Sequence, residues 1–193
     1  MRSVEFNSKT TALVAIDLQH AIVARTVVPH TAAEVVERTK RLADALRAQG
    51  GTILFVRVDM SETLSLPVDA PMVRDPNAAP PPANASQLVP EIGLQQGDRV
   101  VTKRQWGAFY GTDLEQWLRR KGIRTILLTG IATNIGVEST ARAAFDQGFE
   151  LVFVEDAMSS MTAELHEFPV KAIFPRMGRV RSTDEVLAAL AAG

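Results

Sequence analysis

Residues 125–156, TILLTGIATNIGVESTARAAFDQGFELVFVED, constrain this chain more than any other stretch. The apolar run Ile126, Leu127 and Leu128 is too short for a membrane span and predicts a buried strand. Gly130 reads as the break after it, and the side-chain oxygens of Thr133 and Asn134 as caps for a helix over residues 136–147. Gly148 is its C-terminal stop. A second apolar strand follows at residues 151–154 and ends in the acids Glu155 and Asp156. Strand, helix and strand in so few residues form one βαβ unit, which implies parallel strands and a right-handed crossover. Ligands of such sheets sit beyond the carboxyl ends of the strands. The turn there aims backbone N–H groups and the positive helix end at whatever binds. The site is therefore expected around residues 130–137. Gly136 falls in the first helical turn, where Gly costs about 1 kcal/mol against Ala. Either something approaches its backbone closely, or it is a neutral glycine tolerated at a helix start.

The remaining chain repeats the alternation. Residues 11–16 (TALVAI) predict a buried strand, with Asp17 at its carboxyl end. That acid either faces the ligand crevice or caps nearby loop N–H groups. Thr31 with Glu34 forms a capping box before a helix that Gly50 ends, and residues 52–58 (TILFVRV) form the second strand. Arg57 interrupts its apolar run and points either to solvent or to a ligand. Periodicity is then lost from residue 59 to residue 98, and seven of the ten prolines lie between Pro67 and Pro90. A connection this long in a compact domain is usually functional or associative, so it reads as a lid or an oligomer contact. Residues 99–102 predict a third strand, with Lys103 at its end. Trp106, Phe109 and the one tyrosine, Tyr110, sit around Gly107 and Gly111. They form the wall of a small-molecule pocket or pack their loop onto the core. Thr112 with Glu115 reads as a second capping box, with Gly122 as the stop. Residues 161–173 predict a helix that Pro169 kinks or ends early. Val180 lies in a short last strand, and Ser182 with Glu185 caps the terminal helix. The class is α/β with a mostly parallel sheet.

Composition bounds what such a chain can do. Its 193 residues suit a single domain over residues 1–193. A net charge of -1 offers no electrostatic case for nucleic acid or an anionic membrane. No apolar run approaches a membrane span, and the start MRSVEFNSKT lacks the apolar core of a secretion signal. The cytoplasm is the expected compartment. The cysteine count is zero, which removes disulfides, thiolate metal sites and cysteine nucleophiles together. Nucleophile-elbow, phosphate-loop and dinucleotide glycine motifs are absent. His20, His30 and His166 have no metal-ligand spacing and read as ordinary surface or packing residues. His20 attracts somewhat more attention because it lies three residues past Asp17.

The segments LVAIDLQ (13–19), KRQWGAFYGTDLEQWLRRKGI (103–123) and LLTGIATNIGVESTARAAFDQGFELVFVEDA (127–157) together resemble the isochorismatase-like hydrolases. That superfamily also holds nicotinamidases and N-carbamoylsarcosine amidohydrolases. The resemblance covers nearly the whole chain and implies a three-layer, doubly wound fold. Its six-stranded sheet would have the order 3-2-1-4-5-6, with helices on both faces. In the family's amidases a strand-end Asp, a strand-end Lys and a Cys at the helix start act together. Asp17 and Lys103 match the first two, whereas the third falls on Gly136. The resemblance also implies a cis peptide at Ile131–Ala132 that turns the Ala132 N–H toward the point addressed by the Gly136 N–H, as an anion hole. Trp106, Tyr110 and Thr133 would line the substrate pocket. Isochorismatases resemble this chain in lacking the Cys, because protonating an enol ether needs an acid and no covalent intermediate. The expected function is hydrolysis of a small metabolite, with Asp17 as general acid or base and Lys103 as electrostatic partner. No cofactor or metal is implied, and a homodimer or larger assembly is expected. The alternative is a catalytically silent protein that keeps the pocket for a small ligand.

Overall fold

A computed structural model describes residues 7–64, 66–70 and 81–192. In chain order it contains β1 (Thr11–Ile16), α1 (His20–Val23), α2 (Ala32–Ala48), β2 (Thr52–Val58), β3 (Arg99–Lys103), α3 (Leu114–Arg120) and β4 (Thr125–Ile131). There follow α4 (Glu138–Asp146), β5 (Glu150–Ser159), α5 (Ala163–Phe168), α6 (Phe174–Met177), β6 (Gly178–Arg181) and α7 (Thr183–Ala192). The six strands form one sheet of order β3-β2-β1-β4-β5-β6, and every adjacent pair is parallel.

Strand alternation builds two cores. Leu13, Ala15, Ile53, Phe55, Leu127, Val152 and Val154 pack with α2 and α7 on one face. Ala12, Val14, Ile16, Leu54, Val56, Ile126, Leu128, Leu151 and Phe153 pack with α3, α4 and α6 on the other. Every residue of β1 is buried because this central strand is covered on both sides. Phe153 stacks on Phe174 with ring centroids 4.0 Å apart, which fixes α6 to the sheet.

Several local expectations are corrected. Gly130 does not end β4, which continues to Ile131. Its φ is 122°, and a Cβ there would overlap the Ile16 carbonyl oxygen, so glycine lets β4 pass close to β1. Strand β5 runs on to Ser159 and takes Glu155 and Asp156 inside it. The β4–β5 register jumps there, from Leu128↔Phe153 to Gly130↔Met158, so two steps on β4 match five on β5. The Thr31–Glu34 and Ser182–Glu185 boxes both form. The Thr112–Glu115 box does not. Thr112 Oγ1 donates to the Ala108 carbonyl at 2.6 Å and accepts from the Leu114 N–H, and Asp113 becomes the residue before the helix. Pro169 does not stop the helical path after Thr162. A wide π-type turn at Pro169–Ile173 absorbs it, and helical geometry continues to Met177. Residues 65 and 71–80 of the proline-rich connection, read as lid or oligomer contact, lie outside the described residues.

Candidate active site

The carboxyl ends of β1, β3 and β4 converge on one acid and one lysine. Asp17 directly follows β1 and has φ 56°, a left-handed conformation. Asp tolerates that region better than most residues, at a cost on the order of 1 kcal/mol. Lys103 is the last residue of β3 and is 1% exposed. Lys103 Nζ lies 2.8 Å from Asp17 Oδ2 and donates to the Trp106 carbonyl at 2.6 Å. Asp17 is 6% exposed, and its Oδ1 is buried without a hydrogen-bond partner among the described residues. Burial pushes the Asp17 carboxyl up to about 6, although the Lys103 ammonium and its hydrogen bond pull the other way.

The third wall is the turn after β4. The Ile131–Ala132 peptide is cis. Thr133–Val137 then winds as one π-type turn before α4, with both the Ile135 and Val137 N–H groups on the Ala132 carbonyl. A Cβ built on Gly136 would lie 3.1 Å from Asp17 Oδ2, 3.1 Å from Lys103 Nζ and 2.9 Å from Ile16 Cγ2. The closed Asp17–Lys103 contact and a side chain at 136 therefore compete for the same space. This favours the first of the two readings of Gly136, a backbone closely approached by other groups.

Thr133 and Asn134 do not cap the following helix. Thr133 Oγ1 is 2.9 Å from His166 Nδ1, and Asn134 Oδ1 accepts from Ser160 Oγ at 2.5 Å. Thr133 is fully buried and His166 is 3% exposed. Burial lowers His166 to about 4, with the neighbouring His30 acting in the same direction. His30 meets His166 edge-on at 6.2 Å and is itself held below its ordinary value by burial and by Arg38. Trp106 and Tyr110 are 58% and 83% exposed, whereas Phe109 is buried in the core. The part of Trp106 that meets the acid–lysine pair is its carbonyl.

Two contributors carried no signal as site residues. Gln19 is fully buried: its Nε2 donates to the Val58 and Ala85 carbonyls, and its Oε1 accepts from the Val58 N–H. It ties the end of β1 to the end of β2 and to the returning connection, which also bridges Gln19 to Leu88. The second is His166, whose partner is 33 residues away in the sequence. Arg57 bonds Thr102 Oγ1 and the Ser86 carbonyl, a bracing role at the sheet edge. Among the described residues, no group of acids and histidines is arranged to hold a metal ion.

A doubly wound sheet with an acid and a lysine meeting at its carboxyl edge defines the class, and comparison with known proteins gives the family. The isochorismatase domain model matches residues 11–185. The isochorismatase family protein YecD of Escherichia coli O157:H7 is 52% identical over 191 residues, covering 97% of this chain and 100% of its own. The structure of an isochorismatase family protein from Burkholderia thailandensis superposes with a TM-score of 0.88 at 45% identity, covering 97% of this chain and 98% of that one. Ureidoacrylate amidohydrolase RutB of Variovorax paradoxus is 36% identical over 106 residues, 54% of this chain and 42% of its own. The chain belongs to the isochorismatase family and has its hydrolase fold.

Proposed function

We propose that this chain hydrolyses a small metabolite without a covalent enzyme intermediate, using Asp17 as general acid or base and Lys103 to hold and polarise it. The observation that carries the reading is the buried Asp17–Lys103 contact at 2.8 Å, with Asp17 raised to about 6. A carboxyl titrating there exists in both forms near neutrality, with roughly a tenth protonated at pH 7, as proton transfer in both directions requires. Asp17 Oδ1, which has no hydrogen-bond partner among the described residues, is the oxygen left to meet a substrate. The Ala132 and Gly136 N–H groups belong to the reading as donors for a developing negative charge, Trp106 and Tyr110 as the pocket rim, and Thr133 as a buried support of the pocket. With no cysteine in the chain, attack falls to water. Amide, carbamoyl and enol-ether substrates are all compatible, and the likeness to an amidohydrolase supports the first two.

A panel of small enol ethers, carbamoyl compounds and amides tests the reading. Turnover is expected on at least one class, with Asp17→Asn losing 10²-fold or more in kcat. The profile should bend near pH 6: a fall above it assigns Asp17 as acid, and a fall below it as base. A ligand retained without turnover would replace the hydrolase by a binding protein. The reading also places two or more copies in a cytoplasmic assembly. Its support is the exposed apolar pair Leu165 and Phe168 on α5, with exposed Met161 just before that helix. A monomer by light scattering at micromolar concentration would remove the assembly.

A further inference from the structure

The turn that carries Gly136 has no side-chain cap of its own, so its shape depends on groups from elsewhere. Three such groups hold it. Thr140 Oγ1 donates to the Gly136 carbonyl at 2.7 Å and accepts from the Ala108 N–H, which ties the turn to the loop after Lys103. Ser160, after β5, holds Asn134. His166, on α5, holds Thr133. Of the three, only the last depends on a titratable ring. We propose that His166 is a positioning residue of the site: as a neutral imidazole it fixes the Thr133 hydroxyl, and through it the turn that brings the Gly136 backbone against Asp17 and Lys103. The inference rests on the proposed role of that acid–lysine pair.

Surroundings and chemistry both favour the neutral ring. The charged or titratable groups facing His166 are the His30 ring at 6.2 Å and, on its own helix, Glu167, whose carboxylate is engaged by Lys171 at 2.5 Å. Among the described residues no carboxylate forms an ion pair with the ring. A buried imidazolium would therefore be uncompensated. The pair has the outline of a nucleophile and its base, but its electrostatics are wrong for that task. A ring depressed to about 4 is a poor acceptor for a hydroxyl proton at neutral pH, and no acid orients it. Holding, not proton transfer, is what this arrangement performs.

Carbon-13 titration of the Asp17 carboxyl provides a readout that needs no substrate. His166→Leu and Thr133→Val break the same bond from opposite sides. In both, the loosened turn should admit solvent and move the Asp17 midpoint down by half a unit or more. His166→Asn keeps a side-chain amide, able to donate or to accept, near the place of Nδ1 and should restore most of the native midpoint. In the native protein, nitrogen-15 shifts of His166 should show a neutral ring down to pH 5. Once a substrate is known, His166→Leu should lower kcat tenfold or more with KM little changed, and His166→Asn should recover it. An unchanged Asp17 midpoint in folded His166→Leu or Thr133→Val would overturn the proposal. A charged His166 at pH 7 would overturn it too, as would Thr133→Val abolishing turnover with Asp17 undisturbed, because that result makes Thr133 the nucleophile. Undiminished turnover in Asp17→Asn would instead defeat the role given to Asp17 in the proposed function, and the titration would still report whether His166 holds the turn.

Discussion

Two buried side-chain pairs border the turn after β4, and they solve the same problem in opposite ways. Asp17 meets Lys103 at 2.8 Å, and Thr133 meets His166 at 2.9 Å. Burial drives each titratable partner toward its neutral form, Asp17 up to about 6 and His166 down to about 4. Asp17 faces an ammonium that resists the shift, so near pH 7 it is mostly ionised yet within reach of a proton. His166 faces a neutral hydroxyl, and nothing as strong opposes its loss of charge. With little of either group exposed, 6% of Asp17 and 3% of His166, one pair is left charged and poised beside the expected ligand position, and the other uncharged and suited to holding backbone. The identity of the partner, more than depth, separates a group that can exchange protons from one that cannot.

Breaking the charged pair should have the largest effect. Lys103→Met leaves Asp17 as a lone buried carboxyl and should cost about 3–5 kcal/mol at pH 7. The Asp17 midpoint should rise above 6, because burial remains while the ammonium is gone. Its folded pKa then lies further above the unfolded 3.8. The folded state keeps a proton that the unfolded state gives up, so Asp17's contribution is fullest below pH 3.8 and is lost as pH rises through the folded value. Urea denaturation at pH 5 and pH 8 should show the larger loss at pH 8. An equal loss at both would mean that the carboxyl is not stranded, and the contrast drawn above would fail.

Filling the space between the charges sharpens the comparison at smaller cost. Gly136→Cys places a Cβ 3.1 Å from both Asp17 Oδ2 and Lys103 Nζ and 2.9 Å from Ile16 Cγ2. Neighbours must yield by a few tenths of an ångström, for an expected loss of about 1–3 kcal/mol in a protein that still folds. Its φ is not left-handed, so the backbone itself admits a side chain. The thiol would sit beside an ammonium, which lowers its pKa from about 8.5, and Asp17 is placed to accept its proton. Alkylation by iodoacetamide at pH 7 should outpace that of free cysteine. A slower reaction would show that Asp17 and Lys103 do not act jointly on that point.

Much of this architecture was legible from neighbouring residues, and the helix caps that failed share one cause. Mainly apolar runs such as Thr11–Ile16 and the helix signals Thr31 with Glu34 and Ser182 with Glu185 are read from residues close in the chain, and they formed. Thr133, Asn134 and Thr112 carry the same local signal for helix caps, yet their side chains were taken by His166, Ser160 and the Ala108 carbonyl. A hydroxyl or amide bonds whatever the folded chain presents, near in sequence as for Thr112 or distant as for Thr133 and Asn134, and propensity does not record that competitor. Gly136 was singled out by its place in the turn, whereas Lys103 was assigned to the site through resemblance. Spacing alone could not bring residue 17 against residue 103. Gln19 and His166 gave no warning, because a polar residue shows its purpose only when it is found buried with its bonds satisfied.

The smallest expected effect separates the two pairs by the sign of their pH dependence. His166 titrates at about 4 when folded and near 6.5 when unfolded. Between those values the unfolded chain binds more protons, so His166's contribution is present above pH 6.5 and is lost as pH falls toward 4. Asp17 is reversed: with a folded value of about 6 above an unfolded 3.8, it favours the folded state increasingly as pH falls through that window. The two slopes oppose each other in the native protein. His166→Asn removes only the first, so the stability difference between native protein and variant should shrink by on the order of 1–2 kcal/mol from pH 7 to pH 4.5. Groups that titrate alike in both proteins drop out of that difference. Urea midpoints at four pH values are sufficient. A difference independent of pH would mean that the ring is not held neutral. The distinction between the two pairs would then rest on Asp17 alone.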